Sequence, residues 1–273
     1  MFPEEQVSHC CHNSADMGPQ PIGKNNPRLL EIRQAFRKGG RTPDGLLPIE
    51  GPNLITEARR AGIEVVELFL ESGTDPPPEP ARATYVVDRP VFRSLKATET
   101  SQGMIALVRL SPSDIDVMIS EECPLLVVLC GVQDPGNAGT IFRVADAFDA
   151  SGCIGSEGTV HVYNDKLVRA SAGSILRVPH CWGTNLTTLF ERLRSKNIDI
   201  VGTASDARVA IEDHDWRRSA AVLFGSEGAG LGSPQRELCD TVVRIPHDRR
   251  VESLNAGVAA GIVLYEAWKQ RGS

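Results

Sequence analysis

The sequence predicts an α/β fold in two parts, the second a parallel sheet with helices on both faces. Three features point there. In the C-terminal half, short continuous apolar runs alternate with helical stretches, the pattern of strands buried on both sides. The length of 273 residues accommodates two domains of ordinary size. A polar, acidic stretch at residues 111–122 separates two such patterns. Hydrophobic residues at 41% and charged residues at 23% fit a globular chain and exclude a mainly disordered or fibrous one.

Residues 1–23 mix Pro, Gly, Asn, Ser and acids without apolar period and read as a flexible tail. Its His9-Cys10-Cys11-His12 cluster is too contiguous to close a tetrahedral site around one ion, so no metal is expected. From Asn26 the pattern is helical. Leu29, Leu30, Ile32, Ala35 and Phe36 recur at three- and four-residue spacing, and Gly39-Gly40 ends the run. Lys24, Arg28, Arg33, Arg37, Lys38 and Arg41 make this the most cationic stretch of the chain, with Glu31 its one acid. Such a face suits phosphate, and it equally suits plain solvation. A strand follows at 45–49, then a helix at 53–61, strands at 65–70, 84–87 and 104–108, and a helix from Asp88 through Leu95. Residues 24–110 thus form a first, smaller α/β domain, with 111–122 as linker and 123–273 as the second domain.

In the second domain, strand 125–130 feeds a helix at 138–148, and a short strand at 151–154 precedes helices at 166–172 and 189–195. Residues 198–203 and 220–224 are further buried strands, and 254–270 is a long closing helix. No apolar run reaches the roughly 18 residues that cross a bilayer. The opening residues lack a signal peptide's basic start and apolar stretch, so a cytoplasmic protein without a membrane partner is expected. Seven cysteines with no CxxC pair suggest neither a disulfide framework nor a zinc ribbon, and most read as small core residues. The net charge of −6 does not exclude a nucleic-acid partner, because it averages over surfaces facing different ways.

Three loops at strand C-termini carry polar residues that core building does not require, and ligands of open α/β sheets bind at those ends. The first, Gly131 to Arg143, reads as a Gly/Pro turn capped by Asn137, which leaves Arg143 unexplained inside an otherwise apolar helix. The second, Phe224 to Gly232, is glycine-dense enough for backbone to approach a ligand closely. It lacks the Lys of a phosphate-cradling P-loop and the placement of a dinucleotide fingerprint. The third, Arg244 to Gly257, places Ser253 and Asn255 at the opening of the closing helix, where both also read as caps.

Residues 123–270 resemble the SpoU (TrmH) family of RNA ribose 2′-O-methyltransferases, within the SPOUT superfamily. The resemblance rests on three ordered motifs: Asn137 through Arg143, Gly225-Ser226-Glu227-Gly228 with Gly230-Leu231, and Ile245-Pro246 followed by Ser253-Leu254-Asn255-Ala256. The first half is similar to the family's smaller RNA-binding domain, itself like a ribosomal protein. That likeness is carried by residues 24–41, Glu50-Gly51-Pro52 and Thr100-Ser101-Gln102-Gly103. The resemblance implies a trefoil knot, a homodimer whose active site draws on both subunits, S-adenosylmethionine as methyl donor, and structured RNA, ribosomal by preference, as substrate.

It further implies Arg143 as the residue acting at the ribose hydroxyl, with Asn137, Glu227, Ser253 and Asn255 positioning Arg143 and the ribose. Glu227 is expected to pair with Arg143. Gly225, Ser226, Ile245, Leu254 and Ala256 are expected at the cofactor, and Arg33, Arg37, Lys38 and Arg41 at RNA phosphates. A guanidinium stays protonated in proteins, so Arg143 is better suited to clamp a phosphate and stabilise an incipient alkoxide than to act as base. The alternatives are a transfer-RNA ribose methyltransferase, a base-nitrogen methyltransferase, and an RNA-binding protein that has lost catalysis.

Overall fold

The computed structural model describes residues 18–79, 81–95, 102–248 and 250–272. The His9–His12 cluster, Thr100, Ser101 and Arg249 lie outside the described residues. The N-terminal half runs β1 (Gln20–Ile22), α1 (Pro27–Lys38), β2 (Leu47–Glu50), α2 (Pro52–Arg60), β3 (Val65–Glu71), β4 (Ala83–Val87), α3 (Arg89–Leu95) and β5 (Met104–Val108). Its strands form one mixed sheet in the order β1-β4-β3-β5-β2. Residues 20–22, expected in the tail, pair parallel with β4 and so belong to the sheet. Side-chain alternation sends Phe69, Ile105 and Leu107 toward α1 and α3, and Leu68, Leu70, Ala106 and Val108 toward α2.

α1 begins where Asn26 accepts the Arg28 N–H at 2.9 Å and Pro27 supplies a helical φ, and it ends at Gly39 with φ +60°. Arg28 is not a free cation. It bridges Glu31 at 2.7 Å, Asp44 at 2.8 Å and Glu67 at 2.9 Å, and its hydrogen bond holds the Asp44 carboxyl down to about 2.

The C-terminal half runs α4 (Ile115–Met118), β6 (Leu125–Cys130), α5 (Pro135–Ala147), β7 (Gly152–Ser156), α6 (Asp165–Ala170), β8 (His180–Thr184), α7 (Leu186–Ser195), β9 (Asp199–Thr203), β10 (Val209–Ala210), β11 (Ala220–Gly225), α8 (Ser233–Glu237), β12 (Thr241–Arg244) and α9 (Ala256–Arg271). Its seven strands lie in the order β10-β12-β9-β11-β6-β7-β8, and every pairing is parallel. β6 shows why its sequence is continuously apolar: Leu125, Val127 and Leu129 pack beneath α5, α6 and α9, while Leu126, Val128 and Cys130 pack beneath α4 and α7. Burial pushes the Cys130 thiol up to about 12, which suits a core side chain.

The stretch expected to link two domains is folded. Ile115, Met118 and Ile119 are buried in the core of the C-terminal half, so 111–122 is part of that half's packing. The core facing α2 is likewise continuous with that beneath α5, α6 and α9. Among the described residues, no helix is long and apolar enough to cross a membrane.

α5 and α6 approach closely at Gly139, where a Cβ would lie 2.5 Å from the Ala170 Cβ and 2.7 Å from the Leu167 carbonyl oxygen. Helix propensity favours Ala over Gly by about 1 kcal/mol, but overpacking against backbone that cannot retreat costs about 1–3 kcal/mol. Gly139→Ala is therefore expected to lower stability by roughly 1–2 kcal/mol, read as a lower urea midpoint at unchanged slope. A raised midpoint would show that α6 can move away.

Candidate active site

All strands of the second sheet point the same way, so the loops after β6, β9, β11 and β12 gather at one edge. The loop after β11 closes on itself. Ser226 and Gly230 exchange backbone hydrogen bonds at 3.2 and 2.9 Å, with Gly230 at φ +63°. A Cβ on Gly225 would lie 2.0 Å from the Gly230 carbonyl carbon and 2.3 Å from the Leu231 nitrogen. Gly225 therefore serves the loop's own closure as well as lining the cavity described next.

This loop forms one wall of a cavity of about 630 Å³. Gly225, Ser226, Ile245, Leu254 and Ala256 all line it, as do Glu227, Ser253 and Asn255. The volume falls within the roughly 300–1,000 Å³ usual for cofactor sites. Phe224, Leu231, Val243 and Val263 supply its apolar wall. The opposite wall went unnoticed in the sequence. It is the end of β9 and the loop after it, Thr203 to Asp206, with Arg236, which grips Asp206 through Nη2 and Nη1 at 2.8 and 3.2 Å. A polar Thr-Ala-Ser-Asp run directly after a buried strand was the available signal.

Beside the cavity a hydrogen-bond chain joins the loop after β11 to the starts of α5 and α9. The Glu227 carboxylate accepts the Asn137 amide N–H at 3.0 Å and the backbone N–H groups of Asp134 and Gln133 at 3.1 and 3.3 Å. Asn137 Oδ1 accepts the Asn255 amide at 2.8 Å, and Asn255 Oδ1 caps α9 by accepting from Gly257 and Val258 at 2.9 and 3.2 Å. The cap of α5 is Asp134, which accepts the Asn137 N–H at 2.7 Å; the side chain of Asn137, expected to be that cap, is thereby free to join the chain. Burial acts to raise the Glu227 pKa, but the donors from Asn137, its own backbone, Asp134 and Gln133 outweigh it and hold the carboxyl below its ordinary value. Ser253 is exposed at the cavity and stands outside this chain among the described residues.

Arg143 does not meet Glu227. Six residues beyond Asn137, it sits roughly 9 Å along α5 and about 120° around it, and the Glu227 oxygens are already taken. It is exposed, and among the described residues it forms no ion pair. Thr140, Arg143 and Ala147 make one exposed row on α5. α5 packs against α9, where Val258 and Tyr265 remain 51% and 50% exposed.

Of the four cations expected at RNA, Arg37 and Lys38 are exposed at the end of α1, while Arg33 is half-buried and donates to Ser94 Oγ at 2.7 Å. Arg41, expected at RNA, is instead half-buried: its guanidinium lies 4.3 Å from the Tyr163 ring centre and donates to the Tyr163 hydroxyl, so it faces the C-terminal half.

A sequence profile of the SpoU rRNA Methylase family matches residues 124–265. A protein of Synechocystis described as an uncharacterized tRNA/rRNA methyltransferase is 32% identical over 257 residues, covering 90% of this chain and 92% of its own. RlmB of Ralstonia nicotianae, a 23S rRNA (guanosine-2′-O-)-methyltransferase, is 36% identical over 188 residues, covering 67% of this chain and 76% of its own. Among solved structures, the SpoU methyltransferase AviRb from Streptomyces viridochromogenes, crystallised with AdoMet, superposes with a TM-score of 0.80 at 27% identity, over 91% of this chain and 99% of that one. With the three loop motifs joined at one sheet edge and a profile covering half the sequence, the chain belongs to the SpoU rRNA methylase family.

Proposed function

We propose that this protein transfers a methyl group from S-adenosylmethionine to a ribose 2′-hydroxyl of ribosomal RNA. The observation that carries the reading is the Glu227–Asn137–Asn255 chain, which brings the family's three motifs together at the cavity. AdoMet in the AviRb crystal supports the cofactor, and the RlmB relative supports ribosomal RNA over transfer RNA.

S-adenosylmethionine, when bound, supplies a methyl carbon on a positively charged sulfur. What the protein must add is a held and stabilised nucleophile, because a ribose hydroxyl is a very weak acid. Residues 225–231, Ile245, His247 and residues 253–256 fit the cofactor, with the apolar wall of Phe224 and Leu231 suited to its adenine. Arg143 presents a planar, permanently charged fork that clamps an RNA phosphate and stabilises the oxygen as its proton passes to that phosphate or to water; the new C–O bond would replace the S–CH3 bond, leaving a neutral thioether.

The exposed position of Arg143 supports a homodimer. α9 is apolar around most of its circumference, and a helix apolar all round is normally covered. A second copy packed on Val258, Tyr265 and the neighbouring α5 row would cover it and carry Arg143 toward the partner's cavity. The strand order supports the knot: β12 lies outside β9, yet α9, the next element, packs back on α5 and β11.

Digestion of RNA treated with the protein and labelled cofactor should release 2′-O-methylnucleosides, from ribosomal RNA and not from transfer RNA. Base-methylated products would overturn the ribose assignment, and no label at all would make the protein an RNA binder. Arg143→Ala should lower turnover by about 10²–10³-fold, as loss of an oxyanion donor does. Calorimetric cofactor affinity should stay near the parent's, since Arg143 does not line the cavity; lost cofactor binding would remove its role at the hydroxyl.

Gly225→Ala is expected to lose cofactor affinity and thermal stability together, because the added Cβ forces the 226–230 closure open. A variant that melts like the parent and binds cofactor normally would make this glycine an ordinary turn residue.

Replacing Arg37 and Lys38 by Gln should weaken RNA binding and flatten log affinity against log salt by up to about 0.9 per lost phosphate contact. Cofactor binding should be unchanged. Parental affinity and slope on the true substrate would leave the end of α1 an ordinary solvated surface.

A further inference from the structure

Two arginines join the halves: Arg177 reaches α5 directly at Asp146, and Arg41 reaches Tyr163, from which ring contacts lead to Phe142 on α5. Arg177 donates through Nη1 to Glu57 on α2 and, through Nη2 and Nε, to Asp146 on α5 at 2.6 and 3.0 Å. Gly173 makes this approach feasible: at φ +92°, a Cβ there would lie 2.8 Å from the Glu57 Cβ and Cγ. The second link begins at Gly39, where a Cβ would come within 3.2 Å of the Asn164 Cα, and continues at Arg41 over Tyr163.

Tyr163 meets His180 edge-on at 6.1 Å, and His180 meets Phe142 edge-on at 5.6 Å. His180 is 2% exposed, bonded through Nδ1 to the Val178 carbonyl, with Nε2 buried and unpartnered. Burial lowers its pKa, and Arg41 adds to that tendency. Phe142 and Asp146 flank Arg143 on α5 at one residue before and three after. Beneath both links the apolar core runs uninterrupted from α2 to α5 and α6.

We propose that Arg41, Glu57 and Arg177 are positioning residues that dock the N-terminal half rigidly on α5 and so fix the span between its RNA-binding face and Arg143. The proposal rests on the methyl-transfer reading above. A rigid span selects which ribose of a folded RNA can reach the cavity, whereas a flexible tether would leave every nucleotide within reach exposed to transfer. A misplacement of about 1 Å at a reacting group can cost about 10²-fold in rate, so loosened docking lowers turnover without loosening RNA binding.

The test compares the full-length parent with the double variant Arg41→Gln, Glu57→Arg, which removes one anchor and repels the other. Three measurements are made: methyl transfer to ribosomal RNA, RNA and cofactor affinity, and hydrogen exchange by segment. The expected result is turnover lower by at least about 10-fold, with both affinities within about twofold of the parent. Exchange should rise in residues 52–60 and 160–180 alone. Glu57→Gln, which keeps an acceptor for Arg177, should retain most of the activity.

Parental turnover in the double variant, or unchanged exchange in those segments, would overturn the proposal. So would a loss of RNA affinity that accounts for the whole rate change, because Arg41 would then be a binding residue. A parent that methylates no RNA removes the reaction and the positioning role with it, while the exchange difference would still report docking; the two failures are therefore separable.

Discussion

The hydrogen-bond chain running from the Glu227 carboxylate through the Asn137 amide to the Asn255 amide is the constraint on which the rest of the site depends. Each member comes from a different element: Glu227 from the loop after β11, Asn137 from the first turn of α5, and Asn255 from the cap of α9. Glu227 can accept every donor aimed at it only while ionised; an amide in its place would set N–H against N–H. Asn255 uses its oxygen to cap α9 and its nitrogen to reach Asn137, so the start of the closing helix is tied to the first motif. Because donors hold the Glu227 pKa below its ordinary value, this stabilisation is fully present above the ordinary carboxylate pKa. It is lost as pH falls through the lowered one.

The sequence disclosed most of the second sheet because β6, β9 and β11 are buried on both faces and read as unbroken apolar runs. β8, with the sequence His-Cys-Trp-Gly-Thr, and β12, with Thr-Val-Val-Arg, did not register as strands. The first is an edge strand and the second is four residues long and half-buried, so neither shows a clean period. Within the site, the motif residues were visible, but their bonding was not. Asp134 and Asn137 are both good caps three residues apart, and local sequence does not say which one turns inward. The Thr203–Asp206 wall depends on β9 lying between β11 and β12, an adjacency that no local pattern encodes. Arg41 was misplaced for the same reason, since its partner Tyr163 is 122 residues away.

Arg143 and the cavity illustrate a division between the parts of the site the single chain completes and the part it leaves open. The cavity, its apolar wall and the bond chain are assembled within one chain. Arg143 projects from the far side of the same helix, exposed, beside an apolar face whose Val258 and Tyr265 are half uncovered. A cation meant for a phosphate gains from being free of carboxylates, because every intramolecular ion pair would have to be broken before RNA could bind.

That reasoning extends to the whole charge pattern. The net charge of −6 suggests a surface hostile to RNA, yet arginine is the basic partner in all but one of the ion pairs among the described residues. Arg28 with Glu31, Asp44 and Glu67, and Arg177 with Glu57 and Asp146, are neutralised locally, and their work is to hold elements in place. Their carboxylate partners are spent in the same contacts. Screening over about 8 Å at physiological salt makes such compensated groups nearly invisible to an approaching polyanion. Exposed cations without an ion pair among the described residues, Arg37, Lys38 and Arg143 among them, are what a phosphate backbone would meet. Composition cannot recover this pattern, because it does not say which cations folding has paired with carboxylates.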